Sequence, residues 1–204
     1  MDPRLKHPFS CVISGSSGSG KTQFVLRLLS NLEHLVFPKP EKIIWCYSEY
    51  QDSYDGINAE FIEGLPELAE IDKVTPKLMI IDDLMGHNDQ MVSKLFTKVC
   101  HHRNLSVIYI TQNLFTASKE TRTINLNSNY LVLLKNPRNT SQLTHLAKEM
   151  YPGRINVLRE AFHDATSKPF SYLLIDLKPD TPDNLRLRTN IFPGETNFVY
   201  VPRI

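Results

Sequence analysis

Apolar residues along this chain occur in short bursts that alternate with segments of helical spacing. Bursts rich in β-branched residues predict strands at residues 9–14, 42–48, 77–81, 106–111, 130–134 and 172–177. Apolar residues that return every three or four positions predict helices over 24–32, 91–99, 143–150 and 155–162. Strands that are apolar along most of their length are buried on both faces, so the alternation predicts a three-layer α/β domain with a mostly parallel central sheet.

The C-terminal part of the chain has a different pattern. Alternating residues at 185–189 and 198–201 predict short edge strands rather than another strand and helix. We therefore expect a single domain over the 204 residues, with a core at 1–168 and a C-terminal strand appendage at 169–204. Residues 51–76 are the least regular stretch, because glycines and prolines interrupt any long element.

Composition and charge narrow the classes of protein. The chain has 41% hydrophobic residues and 23 Lys plus Arg against 22 Asp plus Glu, which is ordinary globular composition. A net charge of +1 excludes a histone-like mode of nucleic-acid binding, so any contact with DNA must be local. The longest apolar run, residues 130–134, is far short of the about 20 residues that span a bilayer. Residues 1–9 lack the apolar stretch of a secretory signal, and we expect an intracellular protein with no membrane partner.

The cysteines give no sign of a metal site. Cys11, Cys46 and Cys100 form no CxxC pair and have no histidine at ligand spacing. Each lies in or beside an apolar segment, so they are interpreted as small buried thiols of a reducing compartment.

A glycine-rich segment follows the first predicted strand and precedes the first predicted helix. It reads Gly15, Ser16, Ser17, Gly18, Ser19, Gly20, Lys21 and Thr22, and it matches G-x-x-x-x-G-K-[ST] at every position. Backbone N–H groups and the positive end of a helix converge there, which favours binding of a phosphate chain. In such a loop Lys21 reaches the β and γ oxygens of a nucleotide, and the Thr22 hydroxyl coordinates Mg²⁺. All eight residues are candidate ligands of ATP.

Two carboxylates end the predicted strand at 77–81. Asp82 is the natural second ligand of Mg²⁺, because ligand sites of open α/β sheets lie at the carboxyl ends of the strands. Asp83 is the candidate that orients or deprotonates the attacking water. Asp83 could instead cap a helix, and Glu49, after the second strand, is the reserve candidate for the same task.

An amide follows the strand predicted at 106–111. Gln112 can hydrogen-bond both a γ-phosphate and a nucleophilic water, so it is a candidate sensor of the nucleotide state.

The three motifs together resemble a known superfamily. In order, GSSGSGKT, LMIIDD and VIYITQN resemble the Walker A, Walker B and sensor strands of the additional-strand P-loop ATPases (the RecA-like ASCE class), specifically the FtsK/HerA superfamily. Longer segments resemble the DNA-packaging ATPases of Polinton (Maverick) and adinto-like viruses, relatives of the poxvirus packaging ATPase. These segments are HPF at 7–9, WCYSE at 45–49, HHRN at 101–104, KNPR at 135–138 and DLKPD at 176–180.

The resemblance implies a homo-oligomeric ring that hydrolyses ATP with Mg²⁺ and moves double-stranded DNA into a capsid through capsid or portal proteins. It implies a host nuclear or cytoplasmic site of virion assembly. Relatives usually carry Glu where this chain has Asp83, which is one methylene shorter, so water is held farther away or turnover is slower. An arginine finger from a neighbouring subunit is also implied; Arg103 is the candidate, with Arg138 and Arg122 as alternatives.

A motor that moves along any sequence should contact phosphates rather than bases. Lys119 and Arg122, interpreted as part of the loop after Gln112, are the first candidates for these contacts. Arg186 and Arg188 are the second, because residues spaced by two share one face of a strand.

Two other functions stay open. One is a nucleoside or nucleotide kinase, although the arginine-rich lid expected of such an enzyme is not visible in the sequence. The other is a nucleotide-gated assembly factor, in which the shortened Asp83 leaves little hydrolysis.

Overall fold

The computed structural model describes residues 2–84, 89–100, 103–114, 118–137 and 140–202. The strands in these ranges are β1 (Leu5–Lys6), β2 (Ser10–Ser14), β3 (Val36–Phe37), β4 (Lys42–Tyr47), β5 (Glu60–Glu63), β6 (Lys77–Asp82), β7 (Leu105–Thr111), β8 (Tyr130–Leu134), β9 (Tyr172–Asp176), β10 (Leu187–Thr189) and β11 (Phe198–Tyr200). The helices are α1 (Lys21–Ser30), α2 (Leu32–Leu35), α3 (Asp89–Lys94), α4 (Lys119–Leu126), α5 (Thr140–Met150) and α6 (Asn156–Ala165). A π-helical turn (Leu95–Val99) extends α3, and 3₁₀ turns lie at Asp52–Tyr54 and Asp183–Leu185.

Nine of the described strands form one sheet, in the order β11-β10-β9-β8-β2-β7-β6-β4-β5. The pairs from β8 through β2, β7, β6 and β4 to β5 are parallel. The pairs β8–β9, β9–β10 and β10–β11 are antiparallel. The predicted α/β fold with a large, mostly parallel sheet is therefore confirmed, and β9 and β11 are the two strands of this sheet that run in the opposite direction.

Helices cover both faces of the sheet. Successive residues of the central strands point to opposite faces, and their apolar side chains form one core on each face. On one face α1 contributes Phe24, Val25 and Leu28 to a core with β2 and β6. On the other face, α3 to α6 pack against the opposite side chains of the same strands. All six residues of β6 and all seven of β7 are buried, as expected for central strands covered on both sides.

The six strands predicted from apolar bursts are all present, with ends shifted by at most one residue. The four predicted helices are present as well. The sequence did not predict the short elements β1, α2 and β3, nor β5, in the irregular stretch, and α4, in the segment interpreted as a loop. Helix α4 is mostly polar, with Ile124 and Asn125 as its buried residues, and the Ser118 side chain caps it by accepting a hydrogen bond from the backbone N–H of Thr121.

The three cysteines are free and buried, as expected. No helix in the described ranges has the length and apolar character needed to cross a bilayer.

Candidate functional site

The glycine-rich segment connects the central strand β2 to α1 and carries the geometry of an anion site. Gly18 (φ 72°) and Gly20 (φ 98°) adopt left-handed conformations that L side chains rarely reach. Helix α1 begins at Lys21 with no side-chain cap and no acidic residue in its first turn. The first N–H groups of a helix have no intrahelical partners, so these donors and the helix dipole remain for an anion.

Close packing at the base of the loop explains the first glycine. A Cβ on Gly15 would lie 2.6 Å from Ser19 Oγ and 2.8 Å from Leu134 Cβ. The Ser16 hydroxyl donates to the carbonyl of Lys135 at 3.1 Å. Ser19 Oγ is buried inside the loop and has no hydrogen-bond partner among the described residues. The side chains of Ser16 and Ser19 are therefore part of the packing of the loop and do not line its cleft.

Lys21 extends back along the loop. Its ammonium donates to the carbonyls of Gly15 at 2.8 Å and Ser16 at 2.9 Å. Partial burial lowers the pKa of Lys21, while the nearby charges of Asp83 and Asp82 act to raise it. The ammonium is therefore held at the loop by neutral carbonyls, which phosphate oxygens can replace as acceptors.

Asp82 is the last residue of β6 and is only 5% exposed. Burial raises the pKa of this carboxyl, and hydrogen bonds from Tyr54 and Thr22, together with the charge of Lys21, oppose the rise. The Tyr54 hydroxyl donates to Asp82 Oδ2 at 2.9 Å, and Tyr54 itself is 1% exposed. The structure thus brings the Thr22 hydroxyl and the Asp82 carboxylate together, and both are the oxygen ligands that Mg²⁺ prefers.

Asp83 and Gln112 lie at the same edge of the sheet, after β6 and β7. Asp83 is exposed and has a left-handed backbone with φ 51°, a conformation that Asp tolerates better than most residues. Gln112 is also exposed, directly after Thr111. Both face one cleft with a volume of about 330 Å³, which we call the loop cleft.

The loop cleft gathers most of the predicted site. The predicted residues that line it are Ser17, Gly18, Gly20, Lys21, Thr22, Asp82, Asp83 and Gln112. Gly15, Ser16 and Ser19 support the loop from outside the cleft. Among the described residues, Glu49 does not line it, and Gln51 does.

Four residues that line the cleft were not predicted as site residues, namely Gln23, Gln51, Ile110 and Phe170, and neither was Tyr54, which contacts Asp82. Tyr54 comes from the irregular stretch and packs on Trp45 and Phe61, with ring centroids 4.7 and 5.8 Å apart. The other aromatic residues near Tyr54 in the sequence could have indicated a cluster of rings, but nothing in the sequence connects these residues to Asp82. Phe170 is far from the motifs in sequence and reaches the cleft because β9 begins at this edge.

Arg103, the candidate arginine finger, has partners within its own chain. Its guanidinium donates to the carbonyls of Leu68, at 2.5 Å, and Ile71, at 2.6 Å. A finger role in a neighbouring subunit would require release of both carbonyls, and it stays a prediction. The alternative Arg138 lies outside the described residues, whereas Arg122 is exposed on α4.

The residues predicted to contact DNA differ in exposure and in their hydrogen bonds. Lys119 and Arg122 lie on a helix rather than a loop, and at a spacing of three they share one exposed face. The prediction for Arg188 is wrong, because this residue is 6% exposed and its guanidinium bonds Pro3 O and Asp176. Arg186 precedes β10 rather than sharing a strand face with Arg188, and it bonds Asp183 and two carbonyls.

Comparisons with known proteins do not assign a family to this chain. No family model and no curated protein matches the chain. Among solved structures, the ATPase DotB of Legionella pneumophila is similar at a TM-score of 0.38 and 13% identity. The match covers 65% of this chain and 42% of the DotB chain, so this chain corresponds to less than half of DotB.

Proposed function

We propose that this protein is a Mg²⁺-dependent ATPase. The observation that carries the proposal is the loop cleft, where an uncapped helix start and the Lys21 ammonium meet the Thr22–Asp82 oxygen pair. A helix N-terminus beside a lysine suits a polyanion, and a hydroxyl beside a carboxylate suits a hard divalent cation. The two features together suit the Mg²⁺ complex of a nucleoside triphosphate.

Each residue has a role in this proposal. The backbone amides at the start of α1 and Lys21 hold the β- and γ-phosphates, and Thr22 and Asp82 hold Mg²⁺, which supplies charge neutralisation when bound. Asp83 accepts the proton that the attacking water gives up as the bond between the γ-phosphorus and its bridging oxygen breaks. Gln112 orients this water, and ADP and phosphate leave.

The finer proposal is a ring-forming motor of the FtsK/HerA type that translocates double-stranded DNA, with packaging of a viral or virus-like genome as its task. The motif order from GSSGSGKT to VIYITQN and the longer segments named above support it. The exposed cationic face of α4, formed by Lys119 and Arg122, follows the Gln112 strand in the chain and offers contacts for phosphates.

The first experiment measures ATP turnover with Mg²⁺, with and without long duplex DNA. Lys21→Ala should reduce turnover by about 10²–10³-fold, since the variant loses the cation at the developing charge. Lys39→Ala removes an exposed lysine whose partner is Glu33, and it should leave turnover unchanged. Equal turnover in the parent and Lys21→Ala would refute the ATPase proposal.

The response to added compounds separates the finer functions. Turnover stimulated by duplex DNA supports the motor, whereas turnover that ignores DNA and rises with a nucleoside acceptor indicates a kinase. Nucleotide binding with negligible turnover indicates the assembly factor. Lys119→Ala with Arg122→Ala should lower the affinity for DNA and its salt dependence, by about 0.9 in log–log slope per lost phosphate contact.

Subunit mixing tests the ring. Inactive Lys21→Ala and Arg103→Ala subunits should regain activity when mixed if Arg103 completes a neighbour's site. Absence of recovery would exclude Arg103 as the finger.

A further inference from the structure

The order of strands gives the loop cleft a direction. The loop follows β2. Asp82 ends β6, Asp83 follows it, and the amide Gln112 follows β7, so all three lie on one side of β2 in the sheet. Strands β8 and β9 lie on the other side. A triphosphate seated on the loop with its γ-phosphate toward the acids must therefore extend its ribose and base toward β8 and β9.

Phe170 stands on that side. Strand β9 is antiparallel to β8, with Tyr172 opposite Leu134, so β9 begins at the edge of the sheet where β8 ends. Phe170, two residues before β9, consequently lies at the edge that carries the loop. Among the described residues that line the cleft it is the one aromatic side chain.

Phe170 is the third residue of a tight turn that leads into β9, in which the Ser171 N–H donates to the carbonyl of Lys168 at 3.3 Å. The residue has φ 62°, a left-handed value that is rare for a bulky side chain, and it is 68% exposed. Its ring lies over the last glycine of the loop: a Cβ on Gly20 would be 2.9 Å from Phe170 Cδ1. The turn accounts for the positive φ, and it presents an exposed apolar ring beside the phosphate loop, where a ligand can cover it.

We propose that Phe170 is the stacking platform for the nucleobase of the bound nucleoside triphosphate. The inference rests on the proposed function, because it places the base relative to a triphosphate held by Lys21 and Thr22. An aromatic face attracts any planar base, so Phe170 contributes affinity for the nucleoside part of the ligand and none for the phosphates.

The test compares two ligands that differ by the nucleoside. Calorimetry measures the Kd of a non-hydrolysable ATP analogue and of inorganic tripolyphosphate, each with Mg²⁺, for the parent and Phe170→Ala. Loss of one base-stacking contact should weaken the analogue about 5- to 100-fold and leave tripolyphosphate unchanged. Phe198→Ala removes another exposed phenylalanine, 53% exposed against 68% for Phe170, from β11, outside the cleft, and should change neither Kd.

Two further variants separate stacking from loop support. Phe170→Trp should keep the affinity for the analogue, and its indole fluorescence should change with the analogue but not with tripolyphosphate. Phe170→Gly should weaken the analogue as Phe170→Ala does while unfolding at the same temperature as Phe170→Ala or higher, since glycine accepts a positive φ without strain.

Several results would overturn the inference. One is an unchanged Kd of the analogue in Phe170→Ala, and another is an equal loss for both ligands, which would mean that the ring supports the loop. A parent that binds tripolyphosphate and the analogue equally well would also exclude a base platform, while leaving the phosphate site intact. A parent that binds neither ligand would overturn the proposed function itself, and this inference with it.

Discussion

The hydrogen bond from Tyr54 to Asp82 allows a quantitative test of how the acid of the loop cleft is held. Tyr54→Phe removes one buried hydroxyl and keeps the ring, so the contacts with Trp45 and Phe61 remain and no large cavity forms. The chain also contains a matched control. Tyr50 donates to Asp55 Oδ1 at 3.0 Å, but that pair is exposed to solvent.

The expected loss follows from burial. A hydrogen bond to a charged group contributes about 1.5–3 kcal/mol, and Asp82 cannot replace its lost donor with bulk water as an exposed carboxylate can. For a chain of this size that loss lowers Tm by about 3–12 °C. Tyr50→Phe should leave Tm unchanged, because in this exposed pair a water molecule can replace the Tyr50 hydroxyl as the hydrogen-bond donor to Asp55.

Urea and thermal unfolding of the three proteins, first in Mg²⁺-free buffer, measure the difference. Saturating Mg²⁺ and nucleotide should raise the Tm of Tyr54→Phe further than that of the parent. In this variant the Asp82 carboxylate has lost a hydrogen-bond donor, and the bound cation takes over its stabilisation. Equal unfolding free energies for Tyr54→Phe and the parent would refute the view that Tyr54 stabilises Asp82. The Tyr50 and Tyr54 rings also contact each other, with centroids 5.4 Å apart, so equal losses in Tyr54→Phe and Tyr50→Phe would assign the effect to ring packing rather than to the bond with Asp82.

Three shorter predictions concern other parts of the chain. Arg188→Met leaves Asp176 buried without its cation and should cost about 3–5 kcal/mol in urea unfolding; a loss below 1 kcal/mol would contradict a buried ion pair. Burial lowers the pKa of His7 below its ordinary 6.5, so its contribution to stability is present above that value and is lost as pH falls through the folded pKa. His7→Gln should therefore flatten the fall in stability as pH drops below 6.5, and an unchanged slope would exclude His7 as its source. Asp83→Asn should fold normally, because Asn also accepts a positive φ, and should bind ATP while turnover falls about 10²–10⁴-fold; undiminished turnover would remove Asp83 from the mechanism.

The sequence predicted the parts of the fold and site whose signals are local. The apolar bursts mark β2, β6 and β7 because central strands are buried on both faces, and Lys21 with Thr22 follows from a contiguous motif. Helix α4 was missed because it buries few apolar residues. Periodicity carries no strand direction, so the antiparallel β9 could not be predicted.

The remaining site residues depend on tertiary contacts. Tyr54 meets Asp82 across a sequence separation of 28 residues, from a segment with no regular pattern. Arg188 was interpreted as a surface cation because the sequence does not indicate that Arg188 pairs with Asp176. This ion pair is what allows the Arg188 guanidinium to be buried. Such pairings are set by the way distant segments pack, which spacing along the chain does not encode.

The reversed direction of β9 divides the cleft between two kinds of structure. Its phosphate side is made by the ends of parallel strands, where a change of residue also disturbs the buried centre of the sheet. Its other border is the short turn between α6 and β9, whose exposed residues support no core. Ligand preference at that border can therefore be re-engineered by exchanging the turn as a unit, while the machinery that holds the charged end of the ligand stays intact.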